Sequence, residues 1–162
     1  MNLINIFLFY SILGNLFERI IMYFIDKNYI SGFMNTIFTP IYGIAAIIIL
    51  FIHKKINIKN KLLKIIIEFL LYAVILSILE FLGGIIIEKV FNKIFWNYDK
   101  FKYNIGKYVS LETSLLWGLM SLITLYLINP LYKKFESKIP KTLTILLSVF
   151  FIMNLIIILL VK

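Results

Sequence analysis

The chain has 162 residues, of which 62% are hydrophobic and 17% aromatic, and its mean hydropathy is +0.97. Soluble domains are nearer half apolar, so this composition excludes an ordinary soluble domain and indicates lipid as the solvent. The net charge of +9 lies mainly in lysines between apolar runs, which favours membrane topology and contact with anionic lipid headgroups over nucleic-acid binding.

Metal and thiol chemistry have little support in the sequence. Cysteine is absent, which excludes disulfides and thiolate metal sites. The lone histidine, His53, stands beside two lysines, so we expect it in a solvated loop rather than in a metal site. We therefore predict no metal and no cofactor.

Five apolar runs follow one another along the chain, each near the ~20 residues that cross a bilayer as a helix. They lie at residues 3–25, 33–52, 62–90, 108–131 and 143–161. They predict an all-α, polytopic transmembrane helix bundle that forms a single integral membrane domain over residues 1–162. The first run has no basic start and no small-residue cleavage site, so we predict a retained helix rather than a signal peptide. No Gly-x-x-x-x-Gly-Lys-Ser/Thr phosphate loop occurs, so any ATPase must be a separate chain.

The distribution of lysines predicts an orientation. With five spans, nine lysines fall on the side of the second and fourth loops and seven on the opposite side. The positive-inside rule then places the N-terminus in the cytoplasm and the C-terminus outside.

Helices one and three carry similar polar stripes. Their segments read "SILGNLFE" and "SILEFLGG", which puts Ser11, Gly14 and Glu18 at the same spacing as Ser77, Glu80 and Gly84. Each is followed by a helix with an aromatic–glycine pair, "PIYG" at Pro40–Gly43 and "LLWG" at Leu115–Gly118. This pattern predicts two related hairpins with a fifth helix appended. Chance similarity between helices rich in Ile and Leu is the alternative.

Three glutamates, Glu18, Glu80 and Glu112, interrupt apolar runs. A charge at the bilayer centre costs ~3 kcal/mol, so we expect all three to face the bundle interior, with Arg19 neutralising at least one. Glu68 is close to the lysines at the start of helix three, and we expect it to reach the interface instead. The alternative for the interior set is a structural lock of ion pairs or hydrogen bonds.

The segment from Trp96 to Gly118 is rich in rings and turn residues. We predict that it is a capping loop, with Trp96 and Tyr98 against helix ends and their N–H and O–H groups at the wet boundary. Asn104 and Gly106 would form its turn, and Ser110 would cap helix four with Glu112 in the first turn. The alternative is an aromatic belt at the interface, which we expect for Tyr103 and Tyr108.

Glycines and a proline mark close packing. Gly14, Gly43, Gly83, Gly84 and Gly118 would let neighbouring helices approach, and Pro40 would break helix two near the midplane.

Several motifs resemble the CmpB-like family of small bacterial membrane proteins, described as ABC-transporter type IV permeases. The resemblance rests on Gly14, Glu18, Gly32–Phe33 and "PIYG", on Glu80 with Gly84, and on "WNY" at Trp96–Tyr98, Asn104, Gly106 and "SLLWG" at Ser114–Gly118. It covers residues 10–130. The chain departs from the family at Asn15, Ile30–Ser31, Thr36–Ile37 and Asn97. The resemblance implies a transporter permease.

We therefore favour a transport component of the bacterial inner membrane. Its interior polar site would comprise Glu18, Arg19, Tyr42, Glu80, Trp96, Asn104, Glu112 and Ser114. Five helices are few for a pathway, so we expect a homodimer or a larger complex, with a separate ABC ATPase. A structural or regulatory accessory subunit is the second interpretation. An intramembrane lipid-handling enzyme that uses Tyr42, Asn104 and Ser114 is the third, and no catalytic residue is assigned.

Overall fold

The computed structural model describes residues 3–25 and 36–160, with the side chains of the first helix up to Ile20. The helices are α1 (Leu3–Ile25), α2 (Pro40–His53), α3 (Lys61–Phe91), α4 (Leu111–Ile123), α5 (Asn129–Glu136) and α6 (Lys141–Leu160). A five-residue π-helical segment, Thr124–Ile128, joins α4 to α5. Two short strands, β1 (Asn104–Ile105) and β2 (Val109–Ser110), pair antiparallel.

The predicted all-helical membrane fold is confirmed. Among residues 3–25 and 36–160, four helices are long and apolar enough to cross a bilayer: α1, α3, the continuous Leu111–Glu136 segment and α6. The helix α2 is apolar but has only 14 residues, fewer than the ~20 that a span needs.

The second run was expected to be helical over 33–52 with Pro40 as an internal break, and this prediction is wrong. Residues 33–35 lie outside the described part, Thr36–Thr39 are not helical, and Pro40 is the first residue of α2. Proline suits this position because the first N–H groups of a helix have no intrahelical acceptor.

The chain divides into two compact units. One consists of Met1–Ile47 and Tyr132–Lys162, and the other of Ile48–Leu131. The first unit contains α1 and α6, and the second contains α3 and α4.

In the first unit, α1 packs against α6 through aromatic rings and one polar contact. The rings of Phe7 and Phe38 meet the ring of Phe151 edge-on, at 5.2 and 5.3 Å between centroids. The Thr144 hydroxyl donates a hydrogen bond of 2.7 Å to Asn5 Oδ1. Gly14 and Gly43 lie at close approaches, because a Cβ at Gly14 would overlap the Tyr42 ring and one at Gly43 would overlap Ser11 and Phe7.

In the second unit, α3 and α4 pack with almost no space between them. A Cβ at Gly118 would lie 2.8 Å from the backbone oxygen of Phe69, and one at Gly84 would lie 2.5 Å from the Tyr108 ring. Both glycines are buried, as predicted for helix-packing positions. The N-cap of α3 is Asn60, whose side-chain oxygen accepts the Leu63 N–H.

At positions that the sequence pattern aligns, the two helix hairpins make different contacts. Thr39 N–H donates to the Ser11 carbonyl at 3.1 Å, whereas at the matching positions the Ser77 hydroxyl donates to the Ser114 hydroxyl at 2.6 Å. The Tyr42 ring covers Gly14, whereas Trp117 donates a hydrogen bond to Glu80, which is aligned with Gly14. The internal repeat stays a prediction from the sequence.

We predict that Gly84→Ala destabilises the chain by about 1–3 kcal/mol, because the new methyl group overlaps the Tyr108 ring. Gly83→Ala is the matched control, since Gly83 is only half-buried and alanine is the better helix former by about 1 kcal/mol. Thermal unfolding in detergent measures both variants. Equal melting temperatures for the two would contradict the close approach.

Candidate functional site: the carboxylates of α3

The helix α3 carries three glutamates, and each receives hydrogen bonds from side chains that come from other segments. Glu68 is fully buried, Glu80 is 3% exposed and Glu88 is half-buried. Each of the three accepts at least one bond from an aromatic side chain. The three carboxylates are spread along the helix, ~18 Å and ~12 Å apart by helical rise.

Glu80 lies deepest within the span, and both of its oxygens are occupied. Oε1 accepts the Tyr98 hydroxyl at 2.8 Å, and Oε2 accepts the Trp117 indole N–H at 2.7 Å. Among residues 3–25 and 36–160, no lysine, arginine or histidine forms an ion pair with Glu80. The carboxylate is thus hydrogen-bonded by neutral donors only.

Tyr98 reaches Glu80 because the loop after α3 folds back onto that helix. Tyr98 N–H donates to the Lys107 carbonyl at 2.8 Å, and the Asn104 side chain donates to the Tyr98 carbonyl at 3.3 Å. Gly106 takes the turn with a φ of 60°, in the left-handed region that favours glycine. Gly106 forms the predicted turn, but Asn104 was wrongly placed in it, since Asn104 belongs to β1. The Asn104 side chain holds the loop through Tyr98 without touching the carboxylate.

The aromatic residues of this loop differ from the predictions in two respects. The Trp96 indole N–H is buried without a hydrogen-bond partner, so its expected place at a wet boundary is wrong. Tyr108 is 3% exposed and packs on Gly84, so its assignment to an aromatic belt is wrong as well. Close packing over a glycine removes Tyr108 from the interface, whereas Tyr103 is 56% exposed, as a belt residue would be.

Glu88 anchors the other side of the same loop. It accepts the Tyr108 hydroxyl at 2.5 Å and forms an ion pair with Lys107. The hydrogen bond to Glu88 raises the pKa of the Lys107 ammonium above its usual value, so Lys107 stays charged at neutral pH.

Glu68 does not reach the interface, and that prediction is wrong. Its Oε1 lies 2.6 Å from His53 Nδ1 and 3.8 Å from Lys64 Nζ, and its Oε2 accepts the Tyr126 hydroxyl at 2.6 Å. The same contact corrects His53, which is half-buried rather than a solvated loop residue. Tyr126 comes from the π-helical segment, whose wider turn changes the direction of the side chains that follow.

Glu112 is exposed, so its predicted place in the interior is wrong. Ser110 caps α4 in a reciprocal arrangement with Thr113, which confirms the predicted cap and puts Glu112 in the first turn. A carboxylate there is stabilised by the helix dipole and needs no interior partner.

The remaining predicted residues lie elsewhere. In the first unit Glu18 is half-buried, and Arg19 donates to Asn15 Oδ1 at 2.9 Å and to the Thr36 carbonyl at 3.2 Å. Tyr42 packs on Gly14, as described above. In the second unit Ser114 bonds Ser77 and the Ser110 carbonyl rather than Glu80.

Sequence reasoning missed Trp117, although its motif had been noted. The sequence aligns Trp117 with Tyr42 and Glu80 with Gly14, but this alignment becomes a signal only once the structure shows the Tyr42 ring against Gly14. The site that results is a carboxylate between an indole and a phenol. It can bind a proton or a cation, since its charge has no counter-ion within the described residues.

We predict that Trp117→Phe destabilises the chain by about 1.5–3 kcal/mol, because it removes a hydrogen bond to a buried charged group. Trp96→Phe is the control, since its N–H has no partner and the change removes an unsatisfied donor. Thermal unfolding of both variants measures the difference. If Trp96→Phe proves the more damaging of the two, the hydrogen bond to Glu80 does not stabilise the fold.

A family model described as "Putative ABC-transporter type IV" matches residues 5–161. Among curated proteins no match to the chain is found, and none is found among solved structures. Because this family model matches nearly the whole chain, the protein belongs to the ABC-transporter type IV family.

Proposed function

We propose that the chain is a permease-like subunit of a transport system in the bacterial cytoplasmic membrane. Family membership supports a component of an ABC transporter, and the four long apolar helices support a multi-pass membrane protein. ATP hydrolysis would come from a separate chain. In this proposal residues 1–162 act as one integral membrane domain, and a second copy or other subunits complete the pathway.

The observation that carries the proposal is the environment of Glu80. A buried carboxylate within a span is costly unless its charge is neutralised, and neutral donors satisfy its oxygens without cancelling the charge. A proton or a positively charged solute would supply the missing charge. The site therefore fits a transporter that moves a cation or couples transport to a proton.

The loop around Tyr98 supports a role in access. Tyr98 belongs to the hairpin loop and not to a span, yet its hydroxyl closes one side of the carboxylate. A movement of this loop would uncover Glu80, while the hydrogen bond from Trp117 on α4 would remain. Loop closure over a buried site is a common device for controlling access.

Glu68, His53, Lys64 and Tyr126 form a polar cluster, the Glu68 cluster. It favours the second candidate, a structural or regulatory accessory subunit. Its hydrogen bonds join α2, α3 and the π-helical segment, which is what a lock between helices requires. The same cluster is compatible with a transporter, because a rigid end of the helix pair would hold α3 in place while the loop moves. No specific observation favours the lipid-handling enzyme.

We predict that the loop before α3 and the loop after it lie on opposite sides of the membrane, with the former in the cytoplasm. The protein has no cysteine, so Asn57→Cys and Lys100→Cys each introduce one exposed thiol. In intact cells a membrane-impermeant maleimide should label the cysteine at 100 and not the one at 57. Labelling of both from outside would contradict the topology, and the reverse pattern would contradict the orientation alone.

We predict that Glu80→Gln lowers the transport rate at least tenfold. Glu112→Gln should keep the rate within twofold of the wild-type value. The chain is isolated in mild detergent from its native membrane with the ATPase subunit that accompanies it, and placed in liposomes. ATP-dependent accumulation is followed for rubidium, for methylammonium and for chloride as an anion control. Glu112 is a matched control because it is a glutamate of the same hairpin that is exposed on α4.

Two outcomes would contradict the proposal. One is isolation of the chain without any ATPase subunit, with no accumulation of either cation; this result favours the accessory subunit. The other is full transport by a well-folded Glu80→Gln variant, which would exclude Glu80 as the site. Circular dichroism and thermal unfolding of each variant ensure that a loss of transport is not a loss of fold.

A further inference from the structure

The two hydrogen-bond partners of Glu80 differ in what their polar atoms can do. Both donate to the carboxylate, the Tyr98 hydroxyl to Oε1 at 2.8 Å and the Trp117 indole N–H to Oε2 at 2.7 Å. An indole N–H can only donate a hydrogen bond, whereas a phenol oxygen can also accept one. The two carboxylate oxygens are therefore not equivalent towards a cation that binds to Glu80.

The surroundings of Glu80 suit a proton better than a metal ion. A hard metal cation takes about six oxygen ligands, each of which directs a lone pair at the ion. The partners of Glu80 instead direct hydrogen atoms at the carboxylate. No group of three or more His, Cys, Asp or Glu side chains that could hold a metal ion occurs in the described part of the chain. A proton needs a single oxygen and almost no space, which agrees with a carboxylate that is 3% exposed.

The same contacts select the oxygen that carries the proton. A protonated carboxyl group has one oxygen that donates through its O–H and one carbonyl oxygen that accepts. On Oε2 the new hydrogen would point at the Trp117 N–H, which offers no acceptor. On Oε1 it points at the Tyr98 oxygen, which accepts it when the phenol hydrogen turns away. The Trp117 bond is then kept in both states, because Oε2 remains the carbonyl oxygen.

Tyr98 is also the partner that lies nearer to water. It belongs to the loop between α3 and β1, outside the spans, and it is half-buried. Trp117 lies within the Leu111–Glu136 span, where its exposed part faces lipid. A proton from the aqueous phase therefore meets Tyr98 before it meets the carboxylate.

The other titratable groups of the elements packed around Glu80 are placed elsewhere. On α3, Glu88 is bound by two side chains of the loop and lies ~12 Å away by helical rise. On α4, Glu112 is exposed in the first turn. The loop itself contributes three charged side chains that are exposed, Asp99, Lys100 and Lys102. Within the described residues, Glu80 thus receives hydrogen bonds from neutral groups alone.

We propose that Glu80 is a proton-binding site and not a metal site, that its Oε1 carries the proton, and that Tyr98 delivers it. A hydronium ion on the loop side gives a proton to the Tyr98 oxygen and leaves as water. The hydrogen of the phenol passes to Oε1, where the new O–H bond forms, and release follows the same steps in reverse. The inference rests on the proposed function only in taking Glu80 as the cation site, and it names the cation.

Infrared difference spectroscopy of the full chain in lipid bilayers tests the assignment of the oxygen. The acidified-minus-alkaline spectrum contains the C=O stretch of each carboxyl group that takes up a proton, and subtraction of the Glu80→Gln spectrum isolates the band of Glu80. We expect Trp117→Phe to move this band to higher frequency, because the C=O loses its hydrogen bond. Tyr98→Phe should move it less, because the C=O keeps its donor.

A rapid drop in pH tests the delivery by Tyr98. We expect the Glu80 band to appear about tenfold more slowly, or slower still, in Tyr98→Phe than in the wild type, the scale of a lost proton-transfer group. Tyr103→Phe is the matched control, because Tyr103 is a tyrosine of the same loop that is 56% exposed. It should leave both the rate and the position of the band unchanged.

The wild-type chain alone tests the choice between a proton and a metal ion. A metal ion that shared the carboxylate would compete with the proton, so the Glu80 band would weaken when rubidium replaces choline at the same concentration. We expect equal bands in the two salts. Circular dichroism of each variant ensures that a changed band is not a loss of fold.

Four results overturn the inference: no band that Glu80→Gln removes, a band that rubidium weakens, a larger shift in Tyr98→Phe than in Trp117→Phe, or an unchanged rate in Tyr98→Phe. A chain that shows the expected bands but transports nothing refutes the proposed function and leaves the proton site standing. Transport that depends on Glu80, in a chain whose Glu80 takes up no proton, refutes the proton site and leaves the proposed function standing.

Discussion

The structure depends on how glutamates are accommodated within lipid. A bilayer offers a carboxylate neither water nor counter-ions, so the protein has to provide every partner. On α3 it does so three times, with an aromatic donor at each carboxylate and a lysine or histidine at two of them. Glu80 differs from the other two, because its hydrogen bonds come from an indole and a phenol, which are neutral. These donors occupy both carboxylate oxygens but do not neutralise the negative charge.

This requirement shapes the surrounding chain. The loop after α3 has to turn back so that Tyr98 reaches Glu80, and Gly106 and Asn104 make that turn possible. The same turn brings Lys107 and Tyr108 to Glu88 and presses the Tyr108 ring onto Gly84. A loop that would otherwise lie in the headgroups is thus fixed to the helix by two carboxylates. In the proposed transporter, this attachment would link the position of the loop to the partners of the two carboxylates.

The sequence predicted the features that depend on local chemistry. Run length predicted the long helices, and residue type predicted the Ser110 cap, the Gly106 turn and the tight glycines. It failed where the outcome depended on which segments meet. Glu68 was compared only with lysines on its own helix, whereas its closest partners, His53 and Tyr126, come from α2 and the π-helical segment. A π-helical turn leaves no pattern in an Ile/Leu-rich sequence, so the direction of Tyr126 could not have been predicted.

The two hairpins that the sequence pattern aligns hold a packed contact in one case and a polar site in the other. In both hairpins an aromatic residue on the second helix meets the same position on the first. In the first hairpin this position is Gly14, and the Tyr42 ring packs directly against it. Where it is Glu80, the aromatic residue is a tryptophan whose N–H can bond the carboxylate, so the polar group is retained in the span. The Tyr42 ring lies so close to Gly14 that a side chain at that position would overlap it. A glycine at the aligned position thus gives a packing contact, whereas a glutamate gives a polar site whose hydrogen bond comes from tryptophan.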